Sequence, residues 1–449
     1  MKYYSTNRRT PPAALEDVVI RSLAGDRGLY MPEQIPVLDS AVIRALKYKS
    51  FREIAFLVAE ALFGDDMEAD ALADIVADTL SFETPVVHVR DSIYALELFH
   101  GPTLAFKDVG ARFMARLLGY FIRRKGLGRT VNVLVATSGD TGSAVANGFF
   151  GVEGIRVFVL YPRGKVSPIQ ECQFTTQGGN ITAIEIDGTF DDCQALVKEA
   201  FADRALNDFM LLTSANSINV ARLLPQSFYY FNAYAQMDRM GKADHLVVSV
   251  PSGNFGNLSA GLFAAGMGLP VDRFIAANNR NDVFFSYLKS GKYVPRPSTA
   301  TLANAMDVGN PSNFARILDL FGHDHAAIAR RIAGHACDDE EIAGVIRRVF
   351  RDCRYLLDPH GACACRALEE FRLLPQQTGL FLETAHPAKF KDTIDRILNA
   401  DIDIPDTLQA FMKGRKRRIP LSKDFGGFRA FLTDGNSRET KKRPAKSSF

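Results

Sequence analysis

Mostly apolar runs without strict alternation are the feature of this sequence that most restricts its fold. Six occur from about residue 130 onward: Val131–Ala136, Ile155–Tyr161, Ile181–Ile186, Leu246–Val250, Phe274–Ala277 and Gly379–Leu382. Strands that are apolar on both faces are typical of parallel sheets covered by helices on each side. Helical patterns lie between these runs, such as the amphipathic stretch 191–201. The sequence therefore predicts an α/β fold.

The composition excludes several classes of protein. Of the 449 residues, 47% are hydrophobic and 23% are charged, which excludes a collagen, a disordered chain and a small disulfide scaffold. The sequence contains no run of about 18 apolar residues, and its start lacks the apolar stretch of a signal peptide. Six cysteines are sparse for this length and indicate reduced thiols. We therefore expect a cytoplasmic protein with no membrane partner.

The positive charge is concentrated near the C-terminus. Residues 413–449 contain 12 Lys or Arg and 3 Asp or Glu, a net +9, so the formal total of +3 leaves −6 for the preceding residues. A mildly acidic body offers no broad basic field to nucleic acid. We expect 413–449 to form a solvated basic segment with a partly disordered tail. Binding of an acidic partner by this segment is the alternative.

The rest of the chain divides into two parts by its helix and strand patterns. Residues 1–90 are helix-rich, with helical runs at 51–62 and 67–80, and predict a separate N-terminal domain. Residues 91–412 are predicted to form the core, in which the stretch from 282 to about 345 is less regular and reads as an insertion or a lid. Since ligand sites of such folds lie beyond the carboxyl ends of the strands, the turns there are the places to examine.

A lysine in the segment HGPTLAFKD, residues 100–108, is the strongest chemical signal. A Gly-Pro turn precedes a predicted helix, and Lys107 stands at the helix start after the bulky Phe106. Partial desolvation and the positive end of a helix both lower the pKa of such an amine. A neutral amine is what Schiff-base chemistry requires. An ordinary exposed helix lysine is the alternative that this segment leaves open.

The turn PSGNFGN, residues 251–257, is a candidate anion site between a buried strand and a helix. Its two glycines let the backbone approach a ligand closely, and the unpaired N–H groups of a helix start attract negative charge. The spacing matches neither a Walker loop nor the G-x-G-x-x-G pattern. The turn therefore predicts a phosphate cup in preference to a plain strand–helix connection.

The turn TSGDTG, residues 137–142, is a second candidate. Ser138, Thr141 and the amides near Gly139 and Gly142 could hold an anion, whereas Asp140 favours contact with a hydroxyl or a protonated group. N-capping of the next helix by Ser138, Asp140 or Thr141 is equally compatible with this pattern.

Further along the chain, Thr384 could offer a neutral hydroxyl to a ring nitrogen, with a plain turn residue as the alternative. His386 precedes a proline and is predicted to be structural. Cys363 and Cys365 lack a second ligand pair, so we expect buried free thiols and no metal.

Together these segments resemble the threonine synthases, pyridoxal-phosphate enzymes of fold type II with a tryptophan-synthase-β-like architecture. The motifs that carry the resemblance are MKYYST at 1–6, GLYMP at 28–32, HGPTLAFKD at 100–108, TSGDTG at 137–142, YPRGKVSP at 161–168, SANSIN at 214–219, SGNFGN at 252–257 and TAHPAKF at 384–390. The match is closest to the longer form of bacteria and fungi, which has an extra N-terminal domain. It implies two open sheets flanked by helices, in two lobes, the smaller over roughly 111–230.

The resemblance also implies roles for individual residues. Lys107 would form the internal aldimine with pyridoxal 5'-phosphate, and Thr384 would face the pyridine nitrogen. The cofactor phosphate would be held by Ser252, Gly253, Asn254, Phe255, Gly256 and Asn257. The substrate carboxylate would be held by Ser138, Gly139, Thr141 and Gly142, and candidates for the substrate phosphate are Arg163, Lys165 and Arg222. Asp140 would bind the cofactor where shorter forms of the family usually place an asparagine near the 3-hydroxyl.

The reaction implied by the resemblance converts O-phospho-L-homoserine and water to L-threonine and phosphate, the last step of threonine biosynthesis. One alternative is another fold type II lyase such as a serine/threonine dehydratase, whose usual Ser-Phe-Lys segment the residues near 100 fit poorly. The other is a catalytically inactive relative that binds ligands. We further expect a monomer or small homo-oligomer, a small-molecule substrate and no nucleic-acid partner.

Overall fold

The computed structural model describes residues 1–440, with side chains described as far as Asp434. Its strands are β1 Lys2–Ser5, β2 Ala13–Ala14, β3 Tyr30–Pro32, β4 Val86–Arg90, β5 Ile93–Glu97, β6 Val131–Ala136, β7 Ile155–Pro162, β8 Ile181–Asp187, β9 Leu211–Ser214, β10 Leu246–Pro251, β11 Arg273–Asn278, β12 Ile332–Ala336, β13 Thr378–Glu383 and β14 Ile419–Ser422.

The α-helices are α1 Leu15–Arg21, α2 Ser40–Ala45, α3 Phe51–Phe63, α4 Ala69–Thr79, α5 Lys107–Arg124, α6 Asp140–Phe149, α7 Pro168–Thr175, α8 Phe190–Ala202, α9 Arg204–Phe209, α10 Val220–Leu223, α11 Ser227–Arg239, α12 Gly256–Gly266, α13 Val283–Ser290, α14 Phe314–Leu320, α15 His325–Arg331, α16 Asp339–Cys353, α17 Pro359–Phe371, α18 Lys391–Leu398, α19 Asp406–Met412 and α20 Phe425–Thr440. Short 3₁₀ turns lie at Leu46–Tyr48, Gly64–Asp66, Leu224–Gln226, Asn304–Met306 and Pro387–Phe390.

Two open sheets form the body of the molecule. The larger has the order β12-β11-β10-β13-β5-β4 and the smaller the order β14-β8-β7-β6-β9. All six predicted apolar runs are strands of these sheets, and each pairs in parallel with its neighbours among them. Residues of β6 and β13 are buried throughout, as expected for strands covered by helices on both faces. The predicted α/β fold with two helix-flanked sheets is confirmed.

The first 80 residues differ from the helix-rich prediction in one respect. The predicted helices are present as α3 and α4, but β1 also pairs antiparallel with β2 and β3 in a small third sheet. These strands are two to four residues long, too short to give a periodic pattern. Ser22, which follows α1, accepts the N–H of Ser214 at 2.7 Å and thereby fastens this region to the smaller sheet.

The less regular stretch from 282 to about 345 is more than an insertion or a lid. It contributes β12, which pairs in parallel with β11 at one edge of the larger sheet. The sequence IAGHA of β12 contains a glycine and a histidine, so it lacks the continuous apolar character that marks the inner strands. This prediction is corrected for β12, whose backbone is part of the core sheet.

The basic C-terminal segment is packed against the smaller lobe as far as the side chains are described. Strand β14 pairs in parallel with β8, and Phe428 of α20 is fully buried. Lys416 lies 2.5 Å and Arg418 3.2 Å from oxygens of Glu171, so acids of this chain pair with part of the positive charge. The basic side chains of residues 413–434 are exposed, as expected of a solvated segment, although β14 and Phe428 attach this part to the smaller sheet. Residues 441–449 lie outside the described residues.

Candidate active site

A cleft is lined by the turns that follow strands of the two open sheets. Ligand sites of α/β folds lie in such crevices beyond the carboxyl ends of the strands. The cleft brings together many of the residues predicted from the sequence, namely Lys107, Ser138, Asp140, Thr141, Arg222, Gly253, Asn254, Phe255, Gly256, Asn257 and Thr384. Among the residues described, its wall leaves out Gly139, Gly142, Arg163, Lys165 and Ser252. Motifs far apart in sequence therefore meet at one place.

Lys107 is held at the cleft by the backbone on both sides of it. The N–H of Phe106 donates to the carbonyl of Thr384 at 2.9 Å, and Ala105 forms a bridge with Ala385. Arg222 donates from Nη1 to the carbonyl of Lys107 at 2.8 Å. The start of α5 is thus fixed against the end of β13, which places Lys107 and Thr384 on one wall.

The amine of Lys107 lies in a largely dehydrated setting. Its side chain is 16% exposed, and Nζ stands 3.8 Å from Oδ2 of Asp140. Burial lowers the pKa of Lys107; Asp140 opposes this shift, while the cations Lys389 and Arg222 add to it. The pKa of Lys107 therefore lies below its ordinary value, as the sequence predicted, and the alternative of an ordinary exposed lysine does not describe this side chain.

Asp140 is a buried carboxylate between two lysines. Oδ1 lies 2.6 Å from Nζ of Lys389 and accepts a hydrogen bond from Gln170 at 2.8 Å. Burial alone would raise the pKa of Asp140, but Lys389 and Lys107 lower it well below its ordinary value. The carboxylate is therefore ionised, and a cation satisfies one of its oxygens. Lys389 is a residue of the site that the sequence reasoning missed.

The turn at 251–257 leaves its helix start open to the cleft. Phe255, the residue before α12, has a left-handed φ of 59°, and no described side chain caps this helix. The first N–H groups of α12 are therefore free to bind an anion. A Cβ on Gly253 would lie 2.7 Å from Cα of Met306 and 2.8 Å from the carbonyl of Ala305, so glycine is required there.

Ser252 plays a different part in that turn. Its N–H donates to the carbonyl of Ala277 at 2.8 Å, and its hydroxyl donates to the carbonyl of Val250 at 2.8 Å. The first bond secures the end of β10 to β11, and the second is a local bond back to β10 itself. The polar side chain of Asn257 is likewise fixed, because its Oδ1 accepts the hydroxyl of Tyr230 at 2.5 Å.

The turn at 137–142 is bonded within itself. The hydroxyl oxygen of Thr137 accepts the N–H groups of Gly139 at 2.9 Å and Gly142 at 2.7 Å. The two amides predicted to hold an anion are therefore already paired, and Thr137, rather than Ser138, Asp140 or Thr141, satisfies the start of α6. Side chains of Ser138 and Thr141 still line the cleft.

The three predicted cations lie in different settings. Arg163 is half exposed and pairs with Glu185 at 3.4 Å, and Lys165 is exposed. Arg222 is buried and lines the cleft, with Nε donating to the carbonyl of Ala215 at 2.8 Å. Burial lowers the pKa of Arg222 to about 10. Of these cations, Arg222 is therefore the one at the cleft wall.

Asp358 and His360 support the Thr384 wall and were also missed. Oδ2 of Asp358 accepts the N–H groups of Thr384 at 3.3 Å and Ala385 at 3.1 Å. His360 lies 2.5 Å from the other oxygen through Nδ1, and its Nε2 accepts the N–H of Ala305 at 3.2 Å. This pairing makes Nδ1 the protonated nitrogen. The sequence DPH marks a helix start, but it does not reveal which distant turn the start supports.

The cysteines are free, and both Cys363 and Cys365 are buried, as predicted. In the described chain, a group of three possible metal ligands consists of His335, Cys337 and Glu341. Glu341 accepts the N–H of Asp338 at 3.2 Å and lies 3.6 Å from Arg366, so its carboxylate is already paired. We assign no metal to this group.

The chain is similar to known proteins over nearly its whole length. A family of pyridoxal-phosphate dependent enzymes matches residues 79–380, and families described as threonine synthase N terminus and threonine synthase, C-terminal match 2–80 and 361–432. The threonine synthase of Haemophilus influenzae is 44% identical over 432 residues, covering 96% of this chain and 99% of that protein. That of Escherichia coli K12 is 44% identical over 408 residues, covering 91% and 94%.

Solved structures agree with these sequence matches. The crystal structure of threonine synthase from Escherichia coli has a TM-score of 0.90 at 42% identity and covers 97% of this chain and 100% of its own. A PLP-bound threonine synthase from Brucella melitensis has a TM-score of 0.89 at 34% identity, covering 97% and 99%. No helix within residues 1–440 has the length and apolar character needed to cross a membrane. The predicted family and cofactor are confirmed, and the chain belongs to the threonine synthase family of pyridoxal-phosphate-dependent enzymes.

Proposed function

We propose that this cleft converts O-phospho-L-homoserine and water to L-threonine and phosphate, with Lys107 as the amine that carries pyridoxal phosphate. The observation that supports this most strongly is the position of Lys107. Its amine is dehydrated, beside a carboxylate, in a cleft also lined by the uncapped start of α12. The same arrangement argues against a catalytically inactive relative, because a dehydrated lysine amine beside a carboxylate is present and ligand binding alone would not require it.

The residues present fit pyridoxal phosphate. A neutral lysine amine suits its aldehyde, and the free N–H groups of α12 suit its phosphate. Glycine at position 253 lets the turn pack against the backbone of Met306, with which a side chain there would collide. We assign the phosphate to Gly253, Asn254, Phe255, Gly256 and Asn257, with Ser252 holding the turn to its sheet. The bound cofactor supplies an electron sink that stabilises negative charge on the substrate carbons.

Lys107 is proposed to move the proton at the substrate Cα. Because burial lowers its pKa, the released amine is neutral for a larger share of the time and can accept this proton and later return it. The bond from Arg222 to the carbonyl of Lys107 fixes the start of α5, so the amine works from a defined position. Proton transfer within hydrogen-bond reach requires such positioning.

Polar groups that line the cleft are proposed to orient the substrate. Ser138 and Thr141 line the cleft and would hold the carboxylate, with Gly139 and Gly142 shaping the turn around Thr137. Arg222 lines the cleft and is our first candidate for the substrate phosphate. Arg163 and Lys165 lie outside the described cleft wall and remain candidates that a closing movement would have to bring nearer.

The hydroxyl of Thr384 is proposed to face the ring nitrogen of the cofactor. Its backbone is held from both directions, since its N–H donates to Asp358 and its carbonyl accepts from Phe106. A hydroxyl is neutral and would not force a proton onto the ring. Charge developed in the reaction would then be stabilised at other groups of the cleft.

We further propose a cytoplasmic enzyme with a small-molecule substrate and no nucleic-acid partner, present as a monomer or a small homo-oligomer. We also propose the domain limits 1–90, 91–412 and 413–449, with β4 of the first range and β14 of the last completing the two open sheets of the second.

Replacement of Lys107 tests the proposed function. Lys107→Ala should abolish turnover of O-phospho-L-homoserine and the near-visible absorbance of the attached cofactor, because no other amine would stand at this position. Threonine and phosphate are measured together with keto acid and ammonia, which a dehydratase would form instead. Lys125→Ala, at the far end of the same helix, is the control expected to behave as wild type. Full activity of Lys107→Ala would contradict the proposal.

A further inference from the structure

Lys389, the second lysine that contacts Asp140, is more deeply buried than Lys107. Lys389 lies in the Pro387–Phe390 turn after β13, and its side chain is 0% exposed. Its Nζ is 2.6 Å from Oδ1 of Asp140 and donates to the carbonyl of Thr103 at 2.8 Å. A buried ammonium is costly unless it is paired, so this arrangement indicates a built interaction. The roles proposed above leave this lysine unused.

With Lys107 uncharged, the formal charges of the groups that act on it sum to zero only when Lys389 is counted. The groups that act electrostatically on Lys107 are Asp140, Lys389, Arg222 and Asp358, and those that act on Asp140 are Lys389, Lys107 and His360. Lys389 also acts on Asp108 and His386. The carboxylate of Asp140 presents one oxygen to each lysine, with the shorter distance to Lys389. Lys389 is thus the stronger partner of this carboxylate.

We propose that Lys389 is a positioning residue whose ammonium group pairs with Asp140 into a neutral unit, which favours the uncharged form of Lys107. This inference rests on the proposed function of Lys107. The pair presents an oxygen to the cleft without presenting an uncompensated negative charge.

Removal of the ammonium should change the protonation of Lys107. In Lys389→Met, Asp140 would be a buried carboxylate whose nearest described cation is Lys107. That attraction favours the charged amine, and the repulsion from Lys389 is lost as well, so the pKa of Lys107 should rise. Attachment of the cofactor needs the neutral amine, so its pH dependence should move to higher pH.

The experiment measures cofactor attachment against pH. Full-length enzyme is stripped of its cofactor, pyridoxal phosphate is added between pH 6 and 10, and the attachment rate is followed by absorbance. Lys389→Met should move the midpoint upward by about one pH unit, roughly tenfold in rate below the midpoint. Lys389→Arg retains the charge and should keep the wild-type midpoint. Asp140→Asn, which leaves Lys389 without its carboxylate, should move the midpoint downward.

The double variant Asp140→Asn/Lys389→Met guards against misfolding, because it replaces the charged pair with an amide and leaves no unpaired buried charge. We expect its midpoint to lie close to the wild-type value. An unchanged midpoint in a folded Lys389→Met, or an upward shift in the double variant, would overturn the inference. Failure of the proposed function itself looks different, since wild-type enzyme would then attach no cofactor at Lys107.

Discussion

Two turns of the cleft have the same place in the fold and opposite hydrogen bonding. The 137–142 turn joins β6 to α6 in the smaller sheet, and the 251–257 turn joins β10 to α12 in the larger sheet. In the first, Thr137 accepts two amides of the turn. In the second, Phe255 adopts a left-handed conformation and the helix start has no cap among the described side chains.

The contrast shows that a strand–helix turn can contribute to a ligand site either through its side chains or through its backbone amides. In the 137–142 turn, Thr137 accepts two of the amides, and the side chains of Ser138, Asp140 and Thr141 line the cleft. Amides that have no partner within the protein, as at the start of α12, are available to bind an anion. We therefore assign the cofactor phosphate to the 251–257 turn and substrate recognition to the 137–142 turn.

The largest effect is expected at the open turn. Gly253→Ala would place a Cβ 2.7 Å from the backbone of Met306, so the turn must shift and the free amides lose their alignment. We expect affinity for pyridoxal phosphate to fall by about a hundredfold or more, measured by spectrophotometric titration. Gly344→Ala is the control, since a Cβ there meets open space on α16. Wild-type affinity in Gly253→Ala would remove the distinction between the turns.

A smaller effect of a different kind is expected at the self-bonded turn. Thr137→Val removes the oxygen that accepts two buried amides, which should lower the stability of the protein by about 1–3 kcal/mol. Cofactor affinity should fall much less than in Gly253→Ala. Thermal unfolding of the wild-type and Thr137→Val holoenzymes measures the change in stability. Thr407→Val, at an exposed position, is the control. A loss of affinity as large as that of Gly253→Ala would mean that both turns bind the phosphate.

The sequence predicted six of the seven inner strands of the two open sheets, because burial on both faces leaves a continuous apolar run, but it missed the inner strand β5. It also missed β4, β9, β12 and β14, which are four or five residues long and lie at sheet edges. Edge position reduces the need for apolar residues, so the composition of such strands carries little signal. β14 was also missed because it lies in the basic C-terminal segment, whose charge predicted exposure to solvent.

The site was predicted unevenly for a similar reason. Lys107 and the 252–257 turn could be found because local sequence determines a helix start and a turn. Lys389 stands in a segment that was noted for Thr384, but its burial depends on Asp140, a partner distant in the chain. The engagement of Gly139 and Gly142 by Thr137 likewise depends on side-chain geometry that residue types alone leave open.

Locating the covalently bound cofactor tests the proposed role of Lys107 most directly. Lys107 and the buried Lys389 flank Asp140, and we propose that Lys107 carries the cofactor while Lys389 neutralises the carboxylate. Borohydride reduction of the holoenzyme makes the linkage permanent, and peptide mapping by mass spectrometry then identifies the modified residue. We predict the added mass on Lys107 with Lys389 unmodified. The added mass on Lys389, with Lys107 unmodified, would contradict the account.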